Sequence, residues 1–235
     1  MLILPATLTL AHAATDPQDP YETYNRHAYQ LNKTLDDIAF KPVASAYNTV
    51  MPWPAKLGIS HFFSNLNMVP TVANDILQGN VHFIFSDSWR FIINSTIGLL
   101  GLVDVASAMG LPPHSEDLGL TLAKWGYQQS HYLILPILGP STVRDAITFP
   151  IDYQAFSVYP YIEPLSLRYS LVSLNFVSKR AQLLDFDNVL QQIAFDPYVF
   201  QRNAYLQRRN YLIQQNEDSG ASDDYIAGGS TDTEK

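Results

Sequence analysis

The chain has 235 residues, of which 47% are hydrophobic and only 15% charged, with a net charge of -8 and no cysteine. Soluble domains average about 25% charged residues, so the balance points to an unusual solvent. The missing cysteines exclude disulfides, thiolate metal sites and a cysteine nucleophile, and the 14 scattered Lys and Arg form no basic stripe, which argues against a nucleic-acid partner.

The length suits one domain, and no linker interrupts the middle. The opening "MLILPATLTLAHAATDPQDP" reads as the apolar part of an export signal covering residues 1–13, with Ala11 to Ala13 as the cleavage site and its basic start lying upstream of Met1. A helical domain is expected over 16–215. The segment from Asn216 to Lys235 holds six acids and one base, so it is expected to be a solvated, disordered tail.

Asp19-Pro20-Tyr21-Glu22 predicts a helix start, with Asp19 as cap, Pro20 in the first turn and Glu22 reaching back. Tyr24, Ala28, Leu31, Leu35 and Ile38 then share one helical face, and Lys41-Pro42 should end or kink the helix. A second helix runs through Tyr47 until Pro52-Trp53-Pro54 breaks it. Leu57, Phe62, Phe63 and Leu66 mark a short amphipathic segment, and Val69 to Leu77 another that Gln78-Gly79 stops. The next helix, Val81 to about Thr96, is apolar around most of its girth and must be buried in protein or in lipid.

In "FIINSTIGLLGLV", Phe91 to Val103, thirteen residues reach roughly 20 Å as helix against about 30 Å of hydrocarbon, so the stretch cannot span a bilayer. No run of eighteen clearly apolar residues follows the signal, so no transmembrane helix is expected. Residues 110–140 are rich in Gly and Pro. Leu167, Leu171, Leu174, Val177, Ala181 and Leu184 then form a heptad-like seam, and Asp196-Pro197-Tyr198 caps a last helix. Without sustained strand alternation, the fold class is all-α.

The six histidines fall singly, without His-Glu-x-x-His spacing; His114 near Glu116 and Asp117 is read as a polar loop, and no metal or cofactor is expected. Ser141 lacks a Gly-x-Ser-x-Gly setting and reads as an N-cap followed by Arg144-Asp145. The sequon Asn94-Ser95-Thr96 lies in an apolar run where a sugar has no room, and Gly98-x-x-Gly101 lacks the Lys of a phosphate loop. No catalytic constellation emerges, so the chain is not expected to be an enzyme. Few charges and nearly all-round apolar helices leave two readings open, a protein seated in one leaflet or an ordinary helical protein with a large core.

An ordered set of motifs adds a resemblance: "DPYETYNR" at 19–26, "KPVASAY" at 41–47, "FFSNL" at 62–66, "LQGN" at 77–80, "RFIINSTIGLLGLVDVA" at 90–106, "EDLGLTLAKWG" at 116–126, "YLILPILGPSTVRD" at 132–145, "RAQLLD" at 180–185 and "DPY" at 196–198. By these the chain resembles the MlaA (VacJ) family of outer-membrane lipoproteins over about residues 19–210. The resemblance implies an all-helical ring lying in the inner leaflet of the outer membrane, with a central channel. Phospholipids mislocalised to the outer leaflet would pass through it to a soluble periplasmic carrier, MlaC, with trimeric porins as membrane partners.

Two features depart from the family pattern. No lipobox cysteine stands in this sequence, which leaves open whether the chain starts further upstream or is held by its helices and a porin instead of an acyl anchor, and the family's glycine-rich loop reads Gly126-Tyr127-Gln128-Gln129-Ser130-His131-Tyr132. On this reading Gly126, Tyr127, Gln128, Ser130, His131 and Tyr132, with Asp117, Arg144 and Asp145, line or gate the channel; the plainer alternative is loop caps and ion pairs. Tyr24, Ala28, Leu31, Leu35, Phe62, Phe63, Phe83, Phe85, Trp89 and Phe91 seat the protein in the leaflet. Two other functions compete: a lipid hydrolase using Ser141 or His131 with Asp117 or Asp145, and a structural protein associated with porin.

Overall fold

The computed structural model describes residues 16–187 and 194–228. The expected signal over 1–13 lies outside them. The chain is mostly helical, and among the described residues no helix is long and apolar enough to cross a membrane.

Helix α1 (Glu22–Leu35) passes through a π-turn at Asp36–Phe40 into α2 (Lys41–Val50). Pro42 lacks an N–H for the α-ladder, and the chain accommodates it by widening one turn, so Lys41 N–H bonds back to Asp36 O. Proline therefore bends this helix without ending it. Pro52 then breaks the chain as expected before α3 (Trp53–Leu66), and α4 (Met68–Gln78) ends on Gly79 at φ +68°, a left-handed stop that glycine adopts without penalty. Helix α5 (Val81–Thr96) is capped by Asn80, whose side chain accepts from Phe83 N.

Short helices α6 (Val105–Ala108) and α7 (Leu118–Lys124) are capped by Asp104 and Asp117, which accept from Ser107 N and Leu120 N. A hairpin follows, which the all-α expectation did not include: β1 (Tyr132–Leu135) pairs antiparallel with β2 (Gly139–Thr142), Tyr132 opposite Thr142. Four-residue strands with two prolines nearby are too short to leave a period-two pattern. The free edge of β1 is paired by side chains of α1. Asn25 Nδ2 donates to Tyr132 O (3.1 Å) while Asn25 Oδ1 accepts from Ile134 N (2.8 Å). Two turns on, Asn32 repeats the device with Leu135 O (2.9 Å) and Ile137 N (2.7 Å). One face of a helix thus stands in for a third strand.

Helix α8 (Val143–Ile151) is capped by Thr142, whose hydroxyl accepts from Asp145 N, rather than by Ser141 one residue earlier; Ser141 sits buried in β2 and donates to Thr142 O (3.2 Å). After a π-turn at Asp152–Phe156 and a 3₁₀ turn at Tyr159–Tyr161 comes α9 (Leu165–Gln182), which packs against α2 and α3. The last helix, α10 (Pro197–Gly228), is capped by Asp196 through Tyr198 N (3.0 Å) and Val199 N (3.3 Å). Its backbone continues helical into the acidic segment expected to be disordered, since no proline stops it before Gly228.

Asp19 does not cap α1, which starts three residues later. It is instead fully buried, accepting from Asn25 Nδ2 (2.8 Å), Arg202 Nη1 (3.2 Å) and the Tyr198 hydroxyl, and so ties α1 to α10. Glu22, expected to reach back as a cap, pairs forward with Arg26 (2.7 Å). A small apolar cluster of Ala28, Tyr132, Ile134 and Tyr198, flanked by Tyr29, Val199, Tyr205 and Leu206, closes this junction.

The distribution of polarity is inverted relative to a soluble domain. Arg90, Arg144, Asp19, Asn25, Asn74, Asp75 and Asp87 are all at most 2% exposed, whereas among the described residues 36 large hydrophobic side chains are exposed, including Trp53 (69%), Phe85 (64%) and Leu100 (70%). Soluble domains almost never bury so many ionisable side chains while turning this many large apolar ones outward. The ordinary helical protein with a large apolar core is therefore set aside.

Candidate functional site

The polar interior is densest where α7, α8 and α10 meet beneath the hairpin. Helix α10 supplies Arg209, whose Nη1 and Nη2 donate to the two oxygens of Asp117 (2.6 and 3.0 Å) at the start of α7. Nη2 also reaches Asp145 Oδ1 on α8 (2.7 Å), and one helical turn earlier Tyr205 donates its hydroxyl to Asp145 Oδ2 (2.8 Å). Arg144, 1% exposed, adds Nε at 3.2 Å from Asp145 Oδ1. The Arg209–Asp117 pair is two-pronged, and the contacts to Asp145 are single charge-assisted bonds, all of the strong kind.

Gly119 explains how α7 comes so close. A Cβ at this position would stand 2.2 Å from Asp145 Oδ1 and 2.9 Å from both Arg209 Nη2 and Asp117 Oδ1, so only glycine leaves room for the network.

Two clefts share Arg209 as a wall. One, of about 640 Å³, is lined by Gln128, Gln129, Ser130, His131, Arg144 and Glu217, with Leu206 and Ile213 from α10. The other, of about 240 Å³, is lined by Leu135, Leu138 and Phe149 on its apolar side and by Asp117, Asp145, Asp152 and Tyr205 on its polar side. Burial works against an ionised Asp117, but Arg209 outweighs it and holds that carboxyl below its ordinary range. Burial raises Asp152, which accepts from Leu118 N (2.7 Å) and Asn74 Nδ2 (3.1 Å).

The loop 126–132 is held in place through both backbone and side chains. Arg144 Nη1 donates to Tyr127 O (2.9 Å) and Gln128 O (3.0 Å), Arg144 N donates to Ser130 Oγ (2.9 Å), and Gln128 Nε2 reaches Glu217 (2.6 Å). Of the residues expected to line or gate a channel, Asp117, Arg144, Asp145, Gln128, Ser130 and His131 stand on the clefts. Tyr127 takes part through its carbonyl, and Gly126 is exposed at φ +113° beside them. Tyr132 does not line a cleft: it is 0% exposed and packs in the apolar cluster against Tyr198 and Tyr205, because its strand position points inward. Arg209 and Tyr205 were missed; their spacing of four, with Arg202 seven before Arg209, places all three on one face of α10, which is the signal that was available.

Of the residues expected to seat the protein, Tyr24, Leu31, Phe85 and Trp89 are exposed and Leu35, Phe62, Phe83 and Phe91 half-buried. Ala28 and Phe63 are buried, 5% and 2% exposed, so these two pack inside.

The segment Phe91 to Val103 bends tightly after α5. Gly101, at φ +89°, returns its N–H to Asn94 O (2.7 Å), and Gly98 lies where a Cβ would meet Val103 O at 2.3 Å. The bend turns Leu99 and Leu100 outward at φ +54° and +60°, 66% and 70% exposed. Asn94, the sequon residue, is 4% exposed: its Nδ2 donates to Asp104 Oδ1 (3.0 Å) and its Oδ1 accepts from Ala106 N (2.9 Å). Arg90 joins it on Asp104 (3.1 and 3.2 Å) and donates to Ser107 Oγ (3.0 Å) and Leu111 O.

A third polar centre corrects the expectation of a polar loop at His114. That residue is nearly buried, its Nδ1 2.6 Å from Asp87 Oδ2 and 3.9 Å from Asp75 Oδ1, and its Nε2 3.2 Å from Glu116 Oε1. Only the Glu116 partner is local in the chain; Asp75 and Asp87 come from α4 and α5, far from His114, so spacing alone could not bring them in. The candidate hydrolase residues do not form a relay: Ser141 is committed to Thr142 O, while His131 Nδ1 lies at 3.2 Å from Pro17 O.

Comparison with known proteins places this geometry. The sequence family described as MlaA lipoprotein matches residues 17–212. An Escherichia coli K12 protein, the intermembrane phospholipid transport system lipoprotein MlaA, is 35% identical over 219 residues, covering 88% of this chain and 84% of the relative. An uncharacterised Rickettsia felis protein is 33% identical over 199 residues, covering 85% and 79%. A solved structure concerned with the maintenance of bacterial outer membrane lipid asymmetry superposes with a TM-score of 0.68 at 31% identity, covering 83% of this chain and 98% of the other.

Proposed function

The chain belongs to the MlaA lipoprotein family, and from that premise we propose that it carries phospholipid out of the outer membrane's outer leaflet and so maintains that membrane's lipid asymmetry. The observation that carries the reading is the inverted polarity: an apolar exterior suited to lipid encloses a polar interior with two clefts that share Arg209. A headgroup dragged unpaired through hydrocarbon costs several kcal/mol. A path with polar walls around Arg144 and Arg209 and apolar walls at Leu135, Leu138 and Phe149 solvates both ends of the lipid, and no bond is made or broken.

The exposed faces of α1 and α5 and the Leu99-Leu100 bend lie against the inner leaflet, as amphipathic elements lie in an interface without spanning it. The clefts, closed around into one channel, discharge to a soluble MlaC-like carrier, and a trimeric porin holds the protein in the membrane. Deleting the gene is expected to raise outer-leaflet phospholipid and detergent sensitivity, both restored by the intact gene but not by Arg209→Glu. Unchanged asymmetry in the deletion strain overturns the proposal. A purely structural role beside porin is the outcome if Arg209→Glu restores asymmetry fully while still co-purifying with porin. Release of fatty acid from vesicles by purified protein would favour a hydrolase.

A further inference from the structure

The His114 centre plays no part in the transport reading, yet its geometry asks for a ligand. Asp75 is 1% exposed and neither of its carboxylate oxygens has a hydrogen-bond partner; Asp87, 0% exposed, has one oxygen in the same condition. Both point into one place with His114, and a ligand atom from each of the three lies within 4.8 Å of the others. We propose that Asp75, Asp87 and His114 hold a structural divalent cation of the zinc class, bound by one carboxylate oxygen from each aspartate and by Nδ1 of the histidine.

Four features support the assignment. First, the donors are one imidazole nitrogen and two carboxylates, a set that suits zinc, whereas calcium asks for six to eight oxygens. Second, tetrahedral zinc with bonds of about 2.0–2.2 Å separates its ligand atoms by roughly 3.4 Å. The cluster brackets that figure, with contacts of 2.6 and 3.9 Å from His114 Nδ1 to Asp87 and Asp75.

Third, a carboxylate stands behind the imidazole, as it does behind metal-ligating histidines generally. Glu116 Oε1 is 3.2 Å from His114 Nε2, while its other oxygen accepts from Gln78 Nε2 (2.6 Å) and its backbone N–H donates to Thr71 Oγ1 (3.3 Å). This pins Nδ1 as the metal-facing nitrogen, and Phe83, stacked on the ring at 3.9 Å and 12°, holds its plane. Fourth, two aspartates balance one divalent charge, which a buried site requires. The cation would clamp the loop before α7 to α4 and α5. Asp117, three residues after His114 and directly after Glu116, receives Arg209, so the clamp also steadies the wall between the two clefts.

The test uses tag-free, full-length protein in detergent, stripped with chelator and titrated with zinc chloride alone. Elemental mass spectrometry and the melting temperature are the readouts. One zinc per chain with a raised melting temperature is expected. Asp75→Asn and His114→Gln should each bind zinc at least about tenfold more weakly, and Glu116→Gln about 10- to 100-fold more weakly, as for a residue behind a ligand. Wild-type protein that takes up no zinc at saturation overturns the assignment, as does tighter uptake of calcium in a parallel titration with calcium chloride, and as do variants that bind zinc like wild type. Should the variants fail to fold, X-ray absorption of the wild-type zinc form decides: one imidazole with oxygen neighbours supports the site, and several imidazoles or none refute it.

Discussion

Gly119→Ala sets two effects of opposite sign against each other, and the geometry says which wins. In a helix, alanine is better than glycine by about 1 kcal/mol, so propensity alone predicts a stabilised protein. The new methyl, however, would stand 2.2 Å from Asp145 Oδ1, more than 1 Å inside ordinary contact. That oxygen accepts from Arg209 Nη2 at 2.7 Å and lies 3.2 Å from Arg144 Nε, and moving it by that distance breaks both contacts. Hydrogen bonds to charged groups contribute about 1.5–3 kcal/mol each, so losing two, less the helix gain, destabilises by about 2–5 kcal/mol. At about 2–4 °C per kcal/mol for a chain of this size, the melting temperature should fall by roughly 4–20 °C.

Gly58→Ala provides the control. It is also a helical glycine, but its Cβ would meet Leu102 O at 3.5 Å, Leu102 Cδ2 at 3.7 Å and Leu102 Cβ at 4.0 Å, which is ordinary contact. That variant should be stabilised by about 0.4–1 kcal/mol. Thermal melts in detergent of both variants beside wild type measure the difference. If Gly119→Ala melts at or above wild type, as Gly58→Ala should, the reasoning about the Arg209 network is wrong.

Burial opposes the ionised form of Asp104, but hydrogen bonds from Ser107, Asn94 and Arg90 outweigh it and hold its carboxyl at about 2. A depressed folded value stabilises the protein above the unfolded carboxylate range near 4 and is lost as pH falls toward 2; the contribution is about 2 kcal/mol. The stability gap between wild type and Asp104→Asn, measured by denaturant melts, should therefore be constant from pH 7 to 5 and shrink below pH 4. Leu99→Asn with Leu100→Asn should separate seating from folding. Asparagine tolerates positive φ better than leucine, so stability in detergent should hold or rise, while binding to phosphatidylethanolamine–phosphatidylglycerol vesicles in flotation assays should weaken by two exposed leucines, about 3–6 kcal/mol at full burial. Vesicle binding equal to wild type would place these leucines outside the lipid. Tyr205→Phe removes a single half-buried donor to Asp145 and should cost about 1–3 kcal/mol in a thermal melt, less than Gly119→Ala.

Much of the helical plan was legible because its signals are local. Pro52, Gly79 and Asp196 act on the backbone within a few residues of themselves, so the boundaries they mark could be read directly. The same locality misled at Asp19, where the cap pattern is present but Arg202 and Tyr198, more than 175 residues away, take the carboxylate first. It misled again at β1, whose four residues exist as a strand because β2 pairs one edge and Asn25 and Asn32 of α1 bond the other.

For the site, motif order was enough to bring Asp117, Arg144 and Asp145 under suspicion. Only the fold could bring Arg209 down from α10 onto two of them, and only the fold could gather Asp75, Asp87 and His114 around one point. The sequence by itself determined that the chain is helical, that none of its described helices is long and apolar enough to cross a bilayer, and that its 235 residues include no cysteine, because length, hydropathy and residue type are properties of the chain alone. The tertiary structure decided that the charges face inward and the leucines outward, because polarity at a position says that a side chain needs a partner or a solvent but not which one, and that choice is made by elements far apart in the chain.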